Sequence, residues 1–162
     1  MSIKSANIIN EEVSMVIEKA MVSDAEEILS LQKISYISEA EIYNDFNIPP
    51  LVQTLEQMKC EFGNHVFLKA VQDGKIIGSV RVSVYDGVCT IFKLIVHPDY
   101  QNRGIGAGMI KKIEEMLCEC KRFEIFTGHK SERNIYLYQK LGYKIYKTEK
   151  MTDYLNIVYL AK

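Results

Sequence analysis

The chain has 162 residues, of which 48% are hydrophobic and 25% charged, with a formal net charge of −1. This is the make-up of one globular domain with enough chain to bury a core, and so balanced a charge gives no ground for a nucleic-acid or anionic-membrane partner. No apolar run approaches the about 18 residues of a membrane-spanning helix, and the N-terminus lacks the apolar stretch and small-residue cleavage site of a signal peptide. Residues 1–13 are expected to be loosely ordered, and 14–162 to form a single domain. Met15 to Ala20 reads as a short strand. Ser23-Asp24-Ala25-Glu26 matches a capping box, which puts a helix start at Ser23 and continues it through Ile28, Leu29, Leu31 and Ile34. Pro49-Pro50 stops any helix in the polar, acidic stretch before it. Leu51 to Cys60 reads as a second short helix.

His65 to Gln72 is a predicted strand, and Asp73-Gly74 is the dipeptide favoured in a two-residue type I′ turn. Lys75 to Tyr85 alternates, with Ile76, Gly78, Val80, Val82 and Val84 on one face and Ser79, Arg81, Ser83 and Tyr85 on the other. Asp86-Gly87 gives a second turn, and Val88 to Val96 the last strand of the meander. Ile105, Met109, Ile110, Ile113, Met116, Leu117 and Cys120 then repeat at helical spacing. Arg122 to Phe126 is a strand that follows this helix, so it is expected to run parallel to the strand before it. Ser131 to Leu141 reads as a helix capped by Ser131 and ended by Gly142. Tyr143 to Thr148 and Tyr154 to Leu160 are the final strands. The fold class is α/β, a mixed antiparallel/parallel central sheet flanked by about four helices.

The segment that carries chemistry is Val96-His97-Pro98-Asp99-Tyr100-Gln101-Asn102-Arg103-Gly104-Ile105-Gly106-Ala107-Gly108. A strand ends, and glycines at alternate positions open a helix. Glycine keeps side chains away from the backbone N–H groups, so a large anion can approach the positive end of the helix dipole. A dinucleotide site wants G-x-G-x-x-G after the first strand, whereas here Met109 fills the third glycine position. No G-K-[ST] tripeptide is present, which excludes a Walker loop. Gln101 to Ala107 instead fits Q/R-x-x-G-x-G/A and resembles the pyrophosphate loop of the GNAT superfamily of acyl-CoA-dependent N-acyltransferases. Asn134-Ile135-Tyr136-Leu137-Tyr138-Gln139-Lys140-Leu141-Gly142-Tyr143 is similar to that family's second signature.

The resemblance implies the GNAT fold, an N-acetyltransferase activity and acetyl-CoA as co-substrate, with no metal. It also implies that the strand before the loop splays from its parallel neighbour. Leu94, Ile95 and Val96 would then offer free backbone groups to the pantetheine arm and the acyl carbonyl. Backbone groups of Gln101, Asn102, Arg103, Gly104, Ile105, Gly106 and Ala107 would hold the pyrophosphate. Tyr138 would protonate the departing thiolate. A free thiol has a pKa of about 8.5 and tyrosine about 10, so the transfer is mildly uphill unless the site shares the charge. The family asparagine seven residues before that tyrosine is Ser131 here, and Asn134 lies one turn from Tyr138, so both are candidate cofactor contacts.

The sequence leaves the base open among His65, His97, His129 and an acidic cluster, Glu39, Glu41 and Asp45, in the segment that the resemblance places beside the acceptor site, where it would hold a cationic amine. Residues 1–60 carry four Lys/Arg against ten Asp/Glu, and residues 121–162 carry nine against four. That asymmetry suits a small cationic acceptor and an anionic cofactor. The expected partner is a small-molecule or peptide amine, and the resemblance admits a homodimer. The alternative is a non-catalytic acyl-CoA-binding or regulatory domain of the same fold. Cys60, Cys89, Cys118 and Cys120 form no C-x-x-C pair, and a reducing, cytoplasmic location is expected.

Overall fold

Hydrophobic alternation and two tight turns build the first half of the sheet. In the computed structural model, which describes residues 14–162, β1 (Val16–Lys19), β2 (Val66–Gln72), β3 (Lys75–Tyr85) and β4 (Val88–Val96) pair antiparallel in that order. Asp73-Gly74 and Asp86-Gly87 both have positive φ at each residue, as a type I′ turn requires. Across the sheet from β4 lies β5 (Arg122–Gly128), parallel to it, and then β7 (Asn156–Ala161) and the edge strand β6 (Lys144–Lys150), both antiparallel to their neighbours. The expected segment 1–13 lies outside the described residues.

Helices cover the two faces. α1 (Ala25–Ser35) and α4 (Leu55–Glu61) lie over one face and bury Ile28, Leu31 and Met58 with Phe67, Ile76 and Ile95. α5 (Ile105–Met116) and α6 (Glu132–Lys140) serve the other, where Met109, Ile110, Ile113 and Tyr138 meet Leu68, Val80, Ile91 and Ile125. Between α1 and α4 the chain makes α2 (Ile37–Tyr43) and α3 (Pro49–Val52). The described residues thus hold six α-helical segments, of which α3 is a single turn.

Several local expectations are corrected. Ser23 does not cap α1. Residues Val22–Asp24 form a 3-10 turn whose Asp24 carboxylate accepts the Met21 N–H at 2.8 Å and is fixed by Lys69 at 2.9 Å. Pro49-Pro50 opens α3 instead of only ending a helix, because proline's fixed φ suits a first turn and its missing N–H is no loss there. The helix expected over Leu51 to Cys60 is therefore split. α4 starts after Thr54, whose hydroxyl accepts from Gln57 N–H while the Gln57 side chain accepts from Thr54 N–H. Met116 is exposed and, with Gly87, lines a surface cavity of about 320 Å³, so it is not part of the buried stripe.

β3 departs most from simple alternation. The register slips between Ala70 and Val71, where Ala70 opposes Gly78 but Val71 opposes Ile76. Ile77 is the extra residue, and a bulge of this kind moves the preceding side chain to the other face. Ile76 therefore packs with the α1 side, not with Val80 and Val82. Arg81, on the nominally polar face, is 1% exposed. Its guanidinium donates to the Glu61 carboxylate and to Gln32 Oε1, each at 2.6 Å, and stacks over Phe67 at 4.6 Å. Gln32 and Lys93 also donate to Gln53 Oε1, and Lys93 reaches Glu61 at 3.4 Å. This polar network fills the space under α1, α3 and α4.

Candidate active site

The site is built where the sheet comes apart. β4 and β5 are paired only from Val88–Arg122 to Ile91–Ile125. Two residues later Lys93 takes a left-handed φ of 49°, and the register against β3 shifts over the same stretch. A bulge bends its strand and increases the local twist, and past it β4 leaves β5, which continues alongside β7 through Gly128. On the other side β4 stays with β3, since His97 N–H donates to Ile77 O at 2.8 Å. Bonding direction alternates along an antiparallel strand. The amide and carbonyl of Val96, one residue before, thus turn away from β3 into the opening. The Val96 carbonyl is met there by Gln101 Nε2 at 3.1 Å and Ser35 Oγ at 3.5 Å.

The glycine loop closes one end of this opening. His97 Nδ1 accepts the Asp99 N–H, which sets the 3-10 turn Pro98–Tyr100 and makes His97 structural. Asn102 (φ 63°) and Gly104 (φ 78°) then take left-handed conformations and feed α5. Gly104 is the position where glycine's freedom is needed. Gly106 serves proximity instead, because a Cβ there would already touch Leu137, Leu94 and Val96 at 3.5–3.9 Å. Among the described residues, none accepts a hydrogen bond from the backbone N–H of Asn102, Arg103, Gly104, Ile105, Gly106 or Ala107, while Gly108 N–H already bonds Gly104 O. Six consecutive free amides at a helix N-terminus are an anion site. The Arg103 side chain is turned back, donating to Asp99 O at 3.2 Å and stacking on Tyr100.

On the opposite wall stands α6. Its C-terminus is a Schellman motif, with Gly142 N–H bonded to Gln139 O and Tyr143 N–H to Tyr138 O, and Gly142 at φ 96°. This fixes the turn that carries Tyr138, which is 3% exposed. Burial, and next the neighbouring Tyr36 and Glu39, push the Tyr138 phenol well above the usual tyrosine range. Its hydroxyl makes no hydrogen bond among the described residues. Tyr36, at the junction of α1 and α2, is likewise held protonated by burial and by Glu39, with Arg81 opposing.

The acidic cluster does not act together. Glu39 reaches the site and accepts the Ser131 hydroxyl on both carboxylate oxygens, at 2.7 and 2.8 Å. Ser131 therefore does not cap α6 through its side chain. A carboxylate is the stronger acceptor partner for that hydroxyl. Glu41 points to solvent. Asp45 is spent on its own turn, accepting from Asn47 N–H at 2.9 Å and from Tyr154 Oη at 3.3 Å. Asn134 donates to Thr127 Oγ1 on β5 at 3.3 Å. His129 Nδ1 accepts the Asn156 N–H at 2.9 Å, and His65 packs edge-on to Phe92. Of the candidate proton acceptors, Glu39 is the one whose charge acts on Tyr138.

Tyr43 was invisible in the sequence. It leans from α2 over Gly128 at the end of β5, and its hydroxyl accepts the Lys130 N–H at 2.9 Å. A Cβ on Gly128 would collide with the Tyr43 hydroxyl and come within 2.8 Å of its Cζ. Gly128→Ala is expected to lower unfolding free energy by about 1–3 kcal/mol through overpacking. Urea denaturation measures it, and Tyr43→Ala in the same chain should recover most of the loss. A G128A protein as stable as the parent would mean that α2 does not rest on this strand.

A sequence model described as "Acetyltransferase (GNAT) family" matches residues 26–143. A protein of Bacillus subtilis (strain 168) named UPF0157 protein YqkA is 28% identical over 126 residues, which are 78% of this chain and 36% of that protein. The chain thus spans about a third of that relative's length. An acetyltransferase of Yersinia pestis (strain Pestoides F) is 33% identical over 95 residues, 57% of this chain and 67% of that protein. Among solved structures, the PaiA N-acetyltransferase of Thermoplasma acidophilum in complex with coenzyme A aligns over 90% of this chain and 98% of its own. The TM-score is 0.77 at 19% identity.

Proposed function

The chain belongs to the acetyltransferase (GNAT) family, and on that premise we propose that it moves an acetyl group from acetyl-CoA to a primary amine by direct attack in a ternary complex. The observation that carries this reading is the run of six free amides, residues 102–107, beside the opening of the sheet. Amides and a helix dipole suit a pyrophosphate, and the Val96 N–H turned into the opening suits a carbonyl of the amide-bearing pantetheine arm or of the acyl group. Bound there, acetyl-CoA supplies an acetyl group activated as a thioester. The Val96 N–H donates to the acyl oxygen as negative charge develops on it. Glu39 holds the ammonium of the acceptor and takes its proton, which frees the amine lone pair for attack. As the C–S bond breaks, Tyr138 gives its proton to the departing sulfur, and its phenolate takes up the proton that the new amide nitrogen sheds. The acidic first third of the chain favours a small cationic acceptor.

Thermal unfolding with acetyl-CoA, CoA and NAD tests the reading. A ligand at a hundredfold excess over its dissociation constant stabilises the native state by about 2.7 kcal/mol. For a chain of this size that raises the midpoint by about 5–10 °C. Acetyl-CoA and CoA should produce the shift and NAD should not. A shift with NAD alone, or none with acetyl-CoA, would sink the proposal. A panel of polyamines, aminoglycosides, amino acids and peptide N-termini, followed by thiol release, then identifies the acceptor.

A further inference from the structure

One cation faces the glycine loop from across the opening. Arg133, in the first turn of α6, donates through Nη1 to Gln101 Oε1 at 2.6 Å and through Nη2 to Asn102 Oδ1 at 2.8 Å. Gln101 is itself anchored, its Nε2 donating to Val96 O. A chain of hydrogen bonds therefore runs from α6, over the loop, to the splayed end of β4. Both acceptors of Arg133 are neutral amides, and among the described residues no carboxylate is within reach of it. The loop's own arginine, Arg103, is engaged by Asp99 O and Tyr100 instead.

We propose that Arg133 is a ligand of the cofactor's pyrophosphate. The inference rests on the acetyl-CoA reading above and adds a residue to it. A planar guanidinium binds two phosphoryl oxygens at once, and such charge-assisted bonds are about twice as strong as those to neutral acceptors. The free amides of the loop contribute only dipoles against a doubly charged group. Arg133 exchanges neutral amide oxygens for charged ones, with its neighbours Gln101 and Asn102 already aiming it at the cradle. It closes the cleft from the α6 side, so the cofactor is held by the glycine loop and by α6 together.

Calorimetric titration of the parent protein, Arg133→Gln and Arg133→Lys with CoA, dephospho-CoA and acetylpantetheine tests this. Arg133→Gln should weaken CoA about tenfold, the low end for losing a hydrogen bond to a charged group. Dephospho-CoA, which keeps the pyrophosphate, should weaken by the same factor. Acetylpantetheine, which lacks it, should bind unchanged. Arg133→Lys should recover part of the loss, because it restores charge but not the fork. Arg133→Gln should also make CoA binding less sensitive to salt. Unchanged CoA affinity in Arg133→Gln overturns the proposal. So does an equal loss for acetylpantetheine, which would make Arg133 an organiser of the loop, or a loss confined to CoA, which would move it to the 3′-phosphate. A parent protein that binds none of the three ligands defeats the acetyl-CoA reading itself, an outcome separate from these.

Discussion

Tyr138→Phe is expected to lower kcat by about 10²–10⁴-fold at saturating acetyl-CoA while CoA affinity stays unchanged, the range associated with losing a positioned proton donor. The phenylalanine keeps the ring that packs against the core of α5 and the sheet, so only the hydroxyl is lost. That hydroxyl has no hydrogen-bond partner among the described residues and is not one of the fully buried unpartnered polar atoms, so its removal leaves no protein group unpaired. The variant should therefore melt at or slightly above the parent temperature. Because burial raises the Tyr138 pKa, the group stays protonated across the working range. Its loss should depress the whole rate–pH profile without shifting the basic limb. Thiol release measured from pH 6 to 10 checks this. A kcat within about twofold of the parent's would assign proton donation to another group, whereas a basic limb that disappears with the hydroxyl would show that Tyr138 ionises within this range and is not held protonated by burial.

Glu61→Ala should be among the most destabilising single changes available in this chain. Burial pulls the Arg81 pKa down, and Glu61 is the main influence that restores its charge. The Arg81 side chain is 2% exposed and that of Glu61 26%. Removing the carboxylate leaves a buried guanidinium with Gln32 and the Phe67 ring, and leaves Lys93 without its acid. Orphaning one member of a buried ion pair costs about 3–5 kcal/mol, and the partial exposure of Glu61 places it near the low end. The midpoint should fall by about 10 °C on that basis. Replacing Glu61 and Arg81 together by leucine should cost less than Glu61→Ala alone, because the buried guanidinium then leaves with its acid and only the more exposed Lys93 ammonium loses a partner. Chemical denaturation decides the matter. If Glu61→Ala unfolds at the parent's denaturant midpoint, water reaches Arg81 and the network is not a closed one.

What the sequence disclosed, and what it hid, follows from range. The Asp-Gly turns, the strand–loop–helix at residues 96–108 and the Gly142 stop are signalled within a few residues, and each stands where periodicity put it. The parallel pairing of β4 with β5 follows from an intervening helix. The face of Ile76 was misread because one bulged residue flips every side chain beyond it, and no composition signal marks the slip. Arg81 alternates with valines as a solvent-facing residue would. It is buried because α1 and α4 bring Gln32 and Glu61 to it from 49 and 20 residues away. Tyr43 meets Lys130 across 87 positions, and Glu39 meets Ser131 across 92. Such partners have no periodicity to betray them. That is also why three acids could be named as a cluster when one alone reaches the site.

The short parallel ladder between β4 and β5 has a mechanical consequence. Strands β1–β4 form one antiparallel leaf and β5–β7 another, and the ladder that joins them spans four residue pairs at one end. The line between the leaves is therefore the cheapest place for the sheet to open as a unit, and amides along Val88–Ile91 should exchange with solvent through that motion. A ligand lying along the gap acts as a rivet: it ties the leaves together where the backbone does not, and raises the cooperativity of the whole fold along with its stability.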